Sequence, residues 1–239
     1  MAVAVVACQA APPSSYDSER STRMITKTPL STKQQVIVPV AAFTAIGNLP
    51  KLNGALGEAL DAGLSISDCK EILVQMYAYA GFPRSINGLN EFMRLLQSRK
   101  QQGIADAPGR ESGPVPQGAA LLETGTANQT KLSGAPVKGP LFDFAPAIDL
   151  YLKTHLFGDI FARDNLDWQS RELATAAALA AMPGVESQLQ AHIRISMNVG
   201  LSAEQLRQLA QVLAEKVSLE AGQRAQAALQ AQLSHDKRQ

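Results

Sequence analysis

Glu172 and His192 are the residues whose types and spacing could do chemistry, a carboxylate and an imidazole twenty positions apart with Pro183-Gly184 between them. The apolar spacing on either side of that dipeptide is helical, so the two residues fall on an antiparallel hairpin. Counted from the turn, Glu172 lies farther out by about three residues, an axial offset of roughly 4–5 Å. A glutamate side chain spans that between helices packed about 8–10 Å apart, provided both residues face the seam. A carboxylate beside an imidazole fixes the tautomer of the ring and suits it to proton transfer near neutral pH. Gln188, one turn before His192, is the better pocket candidate of the neighbouring amides, and Asn198 sits six positions on.

The same residues have plainer readings. Glu172 follows Ser170 closely enough to be a first-turn acid that complements the helix dipole. A lone histidine on a helix is more often structural than functional. His155, beside Leu156 and Phe157, reads as a packing or surface residue, and His235 lies in a polar tail. Tyr77, Tyr79 and Phe82 read as core and turn packing. Cys69 reads as a small buried hydrophobe.

The elements that must position these side chains are helical throughout. Glu172–Met182, Ser187–Asn198, Ala203–Val217 and Cys69–Tyr79 carry Ala, Leu, Met and Gln at helical spacing, and few stretches alternate like strands. The chain therefore reads as all-α. Its parts are an N-terminal segment (1–28), a first helical repeat (29–100), a connector rich in Gly, Pro, Ser and Thr (101–141) and a second repeat (142–234). Sliding the sequence by 137 positions places Gly47, Leu52, Gly63, Leu64 and Ser65 on Gly184, Leu189, Gly200, Leu201 and Ser202. Gly63 and Gly200 then read as glycines just past helix ends, with Ser65 and Ser202 capping the helices that follow. Pro29-Leu30-Ser31 and Asp167-Trp168-Gln169-Ser170 open the first helix of each repeat. The connector is expected to wrap over the other repeat or a partner chain. Phe142, Phe144, Leu150, Leu152, Leu156 and Phe157 are expected to pack a helix leading into the second repeat.

Composition narrows the classes of function. With 239 residues, 46% hydrophobic and 18% charged, the chain can bury one large core or two small ones. A net charge of +1 with scattered Lys and Arg offers no basic stripe for nucleic acid. Two distant cysteines, Cys8 and Cys69, suggest neither a disulfide framework nor a metal site. No run is long enough to span a bilayer. Val5-Val6-Ala7-Cys8 looks like a lipoprotein cleavage box without the preceding basic region. It implies a periplasmic or lipid-anchored protein, with Cys8 the anchor, if the export signal is incomplete here. Otherwise it implies a cytoplasmic one.

Two stretches resemble the carboxymuconolactone decarboxylase family. The run from Glu71 through Tyr77-Ala-Tyr-Ala-Gly-Phe-Pro83 to Leu89 looks like that family's helix ending at a Tyr-x-Gly-x-Pro turn. Arg171-Glu172-Leu173, followed by Gln188, His192, Asn198 and Gly200-Leu201, is similar to the front half of the same repeat. Each repeat keeps a different part, because His192 falls on Ala55 and Glu172 on Gln35, while Gly81-Phe82-Pro83 falls on Ser218-Leu219-Glu220. The resemblance implies one complete site per chain, a homo-oligomer, and a lyase needing no cofactor or metal that acts on a small lactone, enol or β-keto acid. In such a reaction His192 would be the proton donor, Glu172 its orienter, and Arg84, Arg163, Arg171 or Arg194 the cation for the substrate carboxylate. The wider superfamily includes thiol peroxidases with a Cys-x-x-Cys pair, whose positions hold Val185 and Gln188 here. A thiol oxidoreductase working through Cys69 is the weakest alternative, after a non-catalytic helical scaffold.

Overall fold

The computed structural model describes residues 29–236; the N-terminal segment with Cys8 lies outside the described residues. The described chain is all-α. The first helical group contains α1 (Thr32–Ile46), α2 (Leu49–Asp61), α3 (Ile66–Gln75), the single turn α4 (Tyr77–Ala80) and α5 (Phe82–Gln101). The second contains α9 (Trp168–Ala181), α10 (Glu186–Asn198), α11 (Ala203–Lys216) and α12 (Leu219–Asp236). Between them lie α6 (Ala119–Ser133), α7 (Pro140–Phe144), α8 (Pro146–Tyr151) and a π-helical segment (Leu152–Ile160). None of the described helices is long and apolar enough to cross a membrane.

The helix boundaries follow from local chemistry. Ser31, Ser65 and Ser202 each close a capping box with Gln34, Asp68 and Gln205, and Asp167 caps α9 through the Ser170 amide. α2, α3 and α5 start at 49, 66 and 82 and α10, α11 and α12 at 186, 203 and 219, so the starts of the second set follow those of the first by 137 residues. Gly63 and Gly200 occupy the left-handed region (φ 91° and 99°) at equivalent junctions, where other residues would be strained.

The two groups share one core. Residues 37–45 of α1 are buried, as are residues 170–181 of α9, and these helices pack against each other at the centre. Helices covered on all sides need no polar face, and small buried residues on each, Ala41, Ala42 and Ala45 on α1 and Ala174, Ala177 and Ala178 on α9, suit close packing. Leu52, Leu56, Ile72 and Leu73 complete this core from one side, and Leu189, Ile193, Leu209 and Leu213 from the other.

A buried ion network crosses it. Arg171 of α9, wholly buried, donates from Nη2 to Glu71 Oε1 of α3 at 2.8 Å and from Nη1 to Gln75 Oε1 at 3.0 Å. Arg163 reaches Glu71 at 2.7 Å and Asn165 donates to its other oxygen at 3.0 Å. Burial alone would raise the Glu71 carboxyl, but hydrogen bonds from Arg163 and Arg171 and the Arg171 charge hold it below its ordinary 4.5.

The connector, rich in Gly, Pro, Ser and Thr, also carries a helix, α6. Residues 107–110 lie along the start of α3, where the Ile66 and Ser67 amides donate to the Ala107 and Pro108 carbonyls. Beyond them α6 packs on the π-helical segment, forming a second small core of Leu132, Leu156, Phe157, Ile160, Phe161 and Ile195. Its glycine serves the crossing, since a Cβ at Gly125 would sit 1.7 Å from the Lys153 carbonyl oxygen. Only part of the expected lead-in helix packs: Leu156 and Phe157 are buried, but Phe144 is 88% and Leu150 46% exposed, because α7 and α8 turn outward.

Two stability predictions follow. Replacing Glu71 by Gln leaves the Arg171 charge buried without its counter-charge and should cost about 3–5 kcal/mol in urea unfolding at pH 7. Since the folded carboxyl sits below 4.5, that difference should hold above this pH and shrink as pH falls through the depressed value. Gly125→Ala should lower stability by about 1–3 kcal/mol despite alanine's better helix propensity, because the crossing has no room.

Candidate active site

Glu172 lies in the first turns of α9, and His192 lies in the middle of α10. Both face the seam of the hairpin. Glu172 is wholly buried, His192 is 9% exposed, and Nδ1 of the imidazole lies 2.8 Å from Glu172 Oε2. A carboxylate accepts, so Nδ1 carries a proton and Nε2 is left as the nitrogen that can exchange one.

The first helical group also reaches this pair. Gly81 (φ 83°, ψ 157°) reverses the chain between α4 and α5, a conformation that favours glycine, and Pro83 starts α5. The turn holds α4 against α9 and sets the Tyr79 ring edge-to-face with the His192 imidazole, centroids 5.5 Å apart. Burial, and then the Glu172 charge, holds the Tyr79 phenol well above the ordinary tyrosine value. Composition offered no signal for this role, because an aromatic at helical spacing reads as core.

The other sequence candidates do not converge on the pair. Arg171 faces away from it, into the Glu71 network, so the expectation that it binds substrate is corrected: its charge is spent across the core. Arg163 is held by the same glutamate. Gln188 is exposed and accepts from the Ser187 hydroxyl at 2.9 Å, and Arg84, also exposed, donates to the Ala45 carbonyl at the end of α1. Asn198 donates to the Leu132 carbonyl, tying α10 to α6. Arg194 is exposed and lines, with Lys138, Met197 and His235, an open groove of about 600 Å³ that Glu172 and His192 do not line. At the position matching Glu172, Gln35 donates to the Leu30 carbonyl. Ala55 stands in for His192, so the first group has no such pair.

His155 is a surface residue with partners of its own. Nδ1 lies 2.7 Å from Asp159 Oδ2, Nε2 meets the Tyr77 hydroxyl, and Phe82 stacks on Tyr77 at 4.5 Å. Among the described residues no cluster of His, Cys, Asp and Glu is suited to hold a metal ion.

Cys69 corrects the thiol alternative. It is wholly buried, and burial with the charges of Asp68 and Asp106 pushes its thiol up to about 12. Cys69 is therefore held as the thiol, not the thiolate nucleophile, at neutral pH. Folded protein carrying Cys8→Ser, treated with maleimide at pH 8, should remain unlabelled, with reaction at Cys69 only after denaturation.

Comparison with known proteins matches the second half of the chain to a family. Residues 146–232 fit the carboxymuconolactone decarboxylase family model. A crystal structure described as a gamma-carboxymuconolactone decarboxylase subunit from Burkholderia xenovorans LB400 is 18% identical, covering 87% of this chain and 80% of that one, with a TM-score of 0.49. No curated protein matches. The segment that matches the carboxymuconolactone decarboxylase family model, Pro146 to Gln232, holds both Glu172 and His192.

Proposed function

We propose that the protein is a cofactor-independent carboxy-lyase acting on a small lactone, enol or β-keto acid, with His192 as proton donor and Glu172 as its orienter. The observation that carries this reading is the buried 2.8 Å contact between His192 Nδ1 and Glu172 Oε2. It lies within the segment that matches the decarboxylase family.

The chemistry asks for little more than a placed proton. The bond from the α-carbon to the carboxylate breaks and carbon dioxide leaves. The electron pair stays on the α-carbon, delocalised onto the neighbouring carbonyl as an enolate. The Nε2 proton of the imidazolium then moves to that carbon, and the neutral imidazole regains a proton from water. Glu172 keeps Nδ1 protonated throughout, so that the exchange is confined to Nε2 and the transient positive charge faces a carboxylate.

Self-association belongs to the same reading. Leu141, Phe144, Ile148 and Tyr151 are exposed on α7 and α8 and supply apolar surface for it.

Carbon dioxide release from a panel of β-keto acids and enol-lactones should be detectable with the wild-type protein. His192→Ala should lose about 10²–10⁴-fold in kcat while keeping the wild-type size in light scattering. Full activity in that variant removes the mechanism. A wild-type protein inactive on the whole panel, with His192→Ala merely less stable, favours the scaffold reading, which the near-complete burial of the pair also fits.

A further inference from the structure

The outward face of α10 lines a groove apart from the Glu172/His192 pair. Ser187, Gln190, Ala191, Arg194, Met197 and Asn198 recur at helical spacing and line two adjoining cavities, of about 600 Å³ and about 220 Å³, which share Arg194, Gln232 and His235. Two positions along a helix is a rotation of about 200°, so the exposed Arg194 points away from the seam in which His192 is buried. Residues 133–138, where the connector leaves α6, form another wall, and α12 completes the groove through Gln232 and His235. Gly134, in the left-handed region (φ 79°), turns the chain at that wall. Asn198 Nδ2 donates to the Leu132 carbonyl at 3.0 Å and ties the wall to α10. A space of this size suits a small organic molecule.

The charge that lines it is of one sign. No described acidic side chain borders either cavity, whereas Lys138, Arg194 and His235 do. Every other described arginine donates to a carboxylate or to a backbone carbonyl. Arg194 has no such partner among the described residues, and neither has Lys138. A concave surface that carries cations without counter-charges concentrates positive potential in the space it encloses. Because α6, α10 and α12 all end at this groove, cations there also suit the negative ends of the helices. A flat polar surface would serve that purpose equally. It does not call for a concavity, nor for the apolar lining that Pro136, Val137 and Met197 supply.

We propose that the groove binds a small organic dianion, with Arg194 holding one acidic group, Lys138 the other, and the carbon chain between them resting on Pro136, Val137 and Met197. The planar guanidinium meets a carboxylate or a phosphate through two parallel hydrogen bonds, and the ammonium meets either as a point charge. This site is distinct from the candidate active site and stands whether or not the lyase reading holds.

Titration calorimetry of the full chain at low salt tests it, with adipate, 3-phosphoglycerate and the neutral adipamide as probes. At least one dianion should bind saturably, and the tighter of the two identifies the acid that the fork prefers. Affinity should fall as salt is added, and adipamide should not bind. Arg194→Gln should weaken binding at least about tenfold and Lys138→Gln several-fold, whereas Arg207→Gln, a surface control on α11, should leave it unchanged. With ¹³C-methyl-labelled methionine, the Met197 resonance should move on titration while that of the buried Met76 stays in place. The proposal is overturned by adipamide binding as well as adipate, by no saturable binding of either dianion at millimolar concentration, by binding that survives Arg194→Gln, or by an unmoved Met197. Should Arg194→Gln fail to fold, Lys138→Gln on the connector wall decides the matter, because a cation that serves only the helix ends changes thermal stability and not affinity.

Discussion

The buried Arg171 guanidinium is the interaction on which the rest depends. It sits on α9 and is met by Glu71 and Gln75 of α3, so the first helical group docks on the second through a charge that water cannot reach. An ion left half-paired in such a place is costly enough to fix the register of α3 against α9. The chain leaves α3 directly into α4, and that register brings Tyr79 against His192. A structural network thus sets the geometry of the candidate site from one residue away, since Arg171 and Glu172 are neighbours that point to different faces of one helix.

The two groups are arranged alike but equipped differently. Glu71 and Gln208 stand 137 residues apart, and each reaches across to the other group, Glu71 to Arg171 and Gln208 to the Leu30 amide at 2.7 Å. One contact is an ion network with a share in the core, the other a single, partly buried hydrogen bond. The same asymmetry governs the chemistry, because the equivalents of Glu172 and His192 are Gln35 and Ala55. A helical scaffold tolerates such divergence since its stability lies in the shared apolar seam of α1 and α9, and side chains elsewhere are left free to specialise.

The segment between the groups shows how composition can mislead. Residues 103–140 are rich in glycine and small residues, which gave no sign of a helix there, yet α6 runs through the middle of the segment. Gly125 lowers helix propensity locally but permits a backbone approach to the π-helical segment that any side chain would block. Packing outweighed propensity there.

Outside the connector, the sequence by itself determined the helices of the two groups, their capping serines, the glycine junctions and the hairpin that carries Glu172 and His192, because each of these is set by neighbours within a turn or two along the chain. It also placed the pair at an axial offset that a glutamate can span. Tertiary structure alone decided which way those helices face. Rotation of α9 turned Glu172 into the seam and Arg171 into the Glu71 network, where adjacency in sequence had made both candidates for one site. It also carried Tyr79 across from the other group, a contact between residues 113 positions apart that local spacing does not encode. Long-range contacts of this kind come from how whole faces pack, and in Ala- and Leu-rich helices many faces look alike until the buried charges choose one.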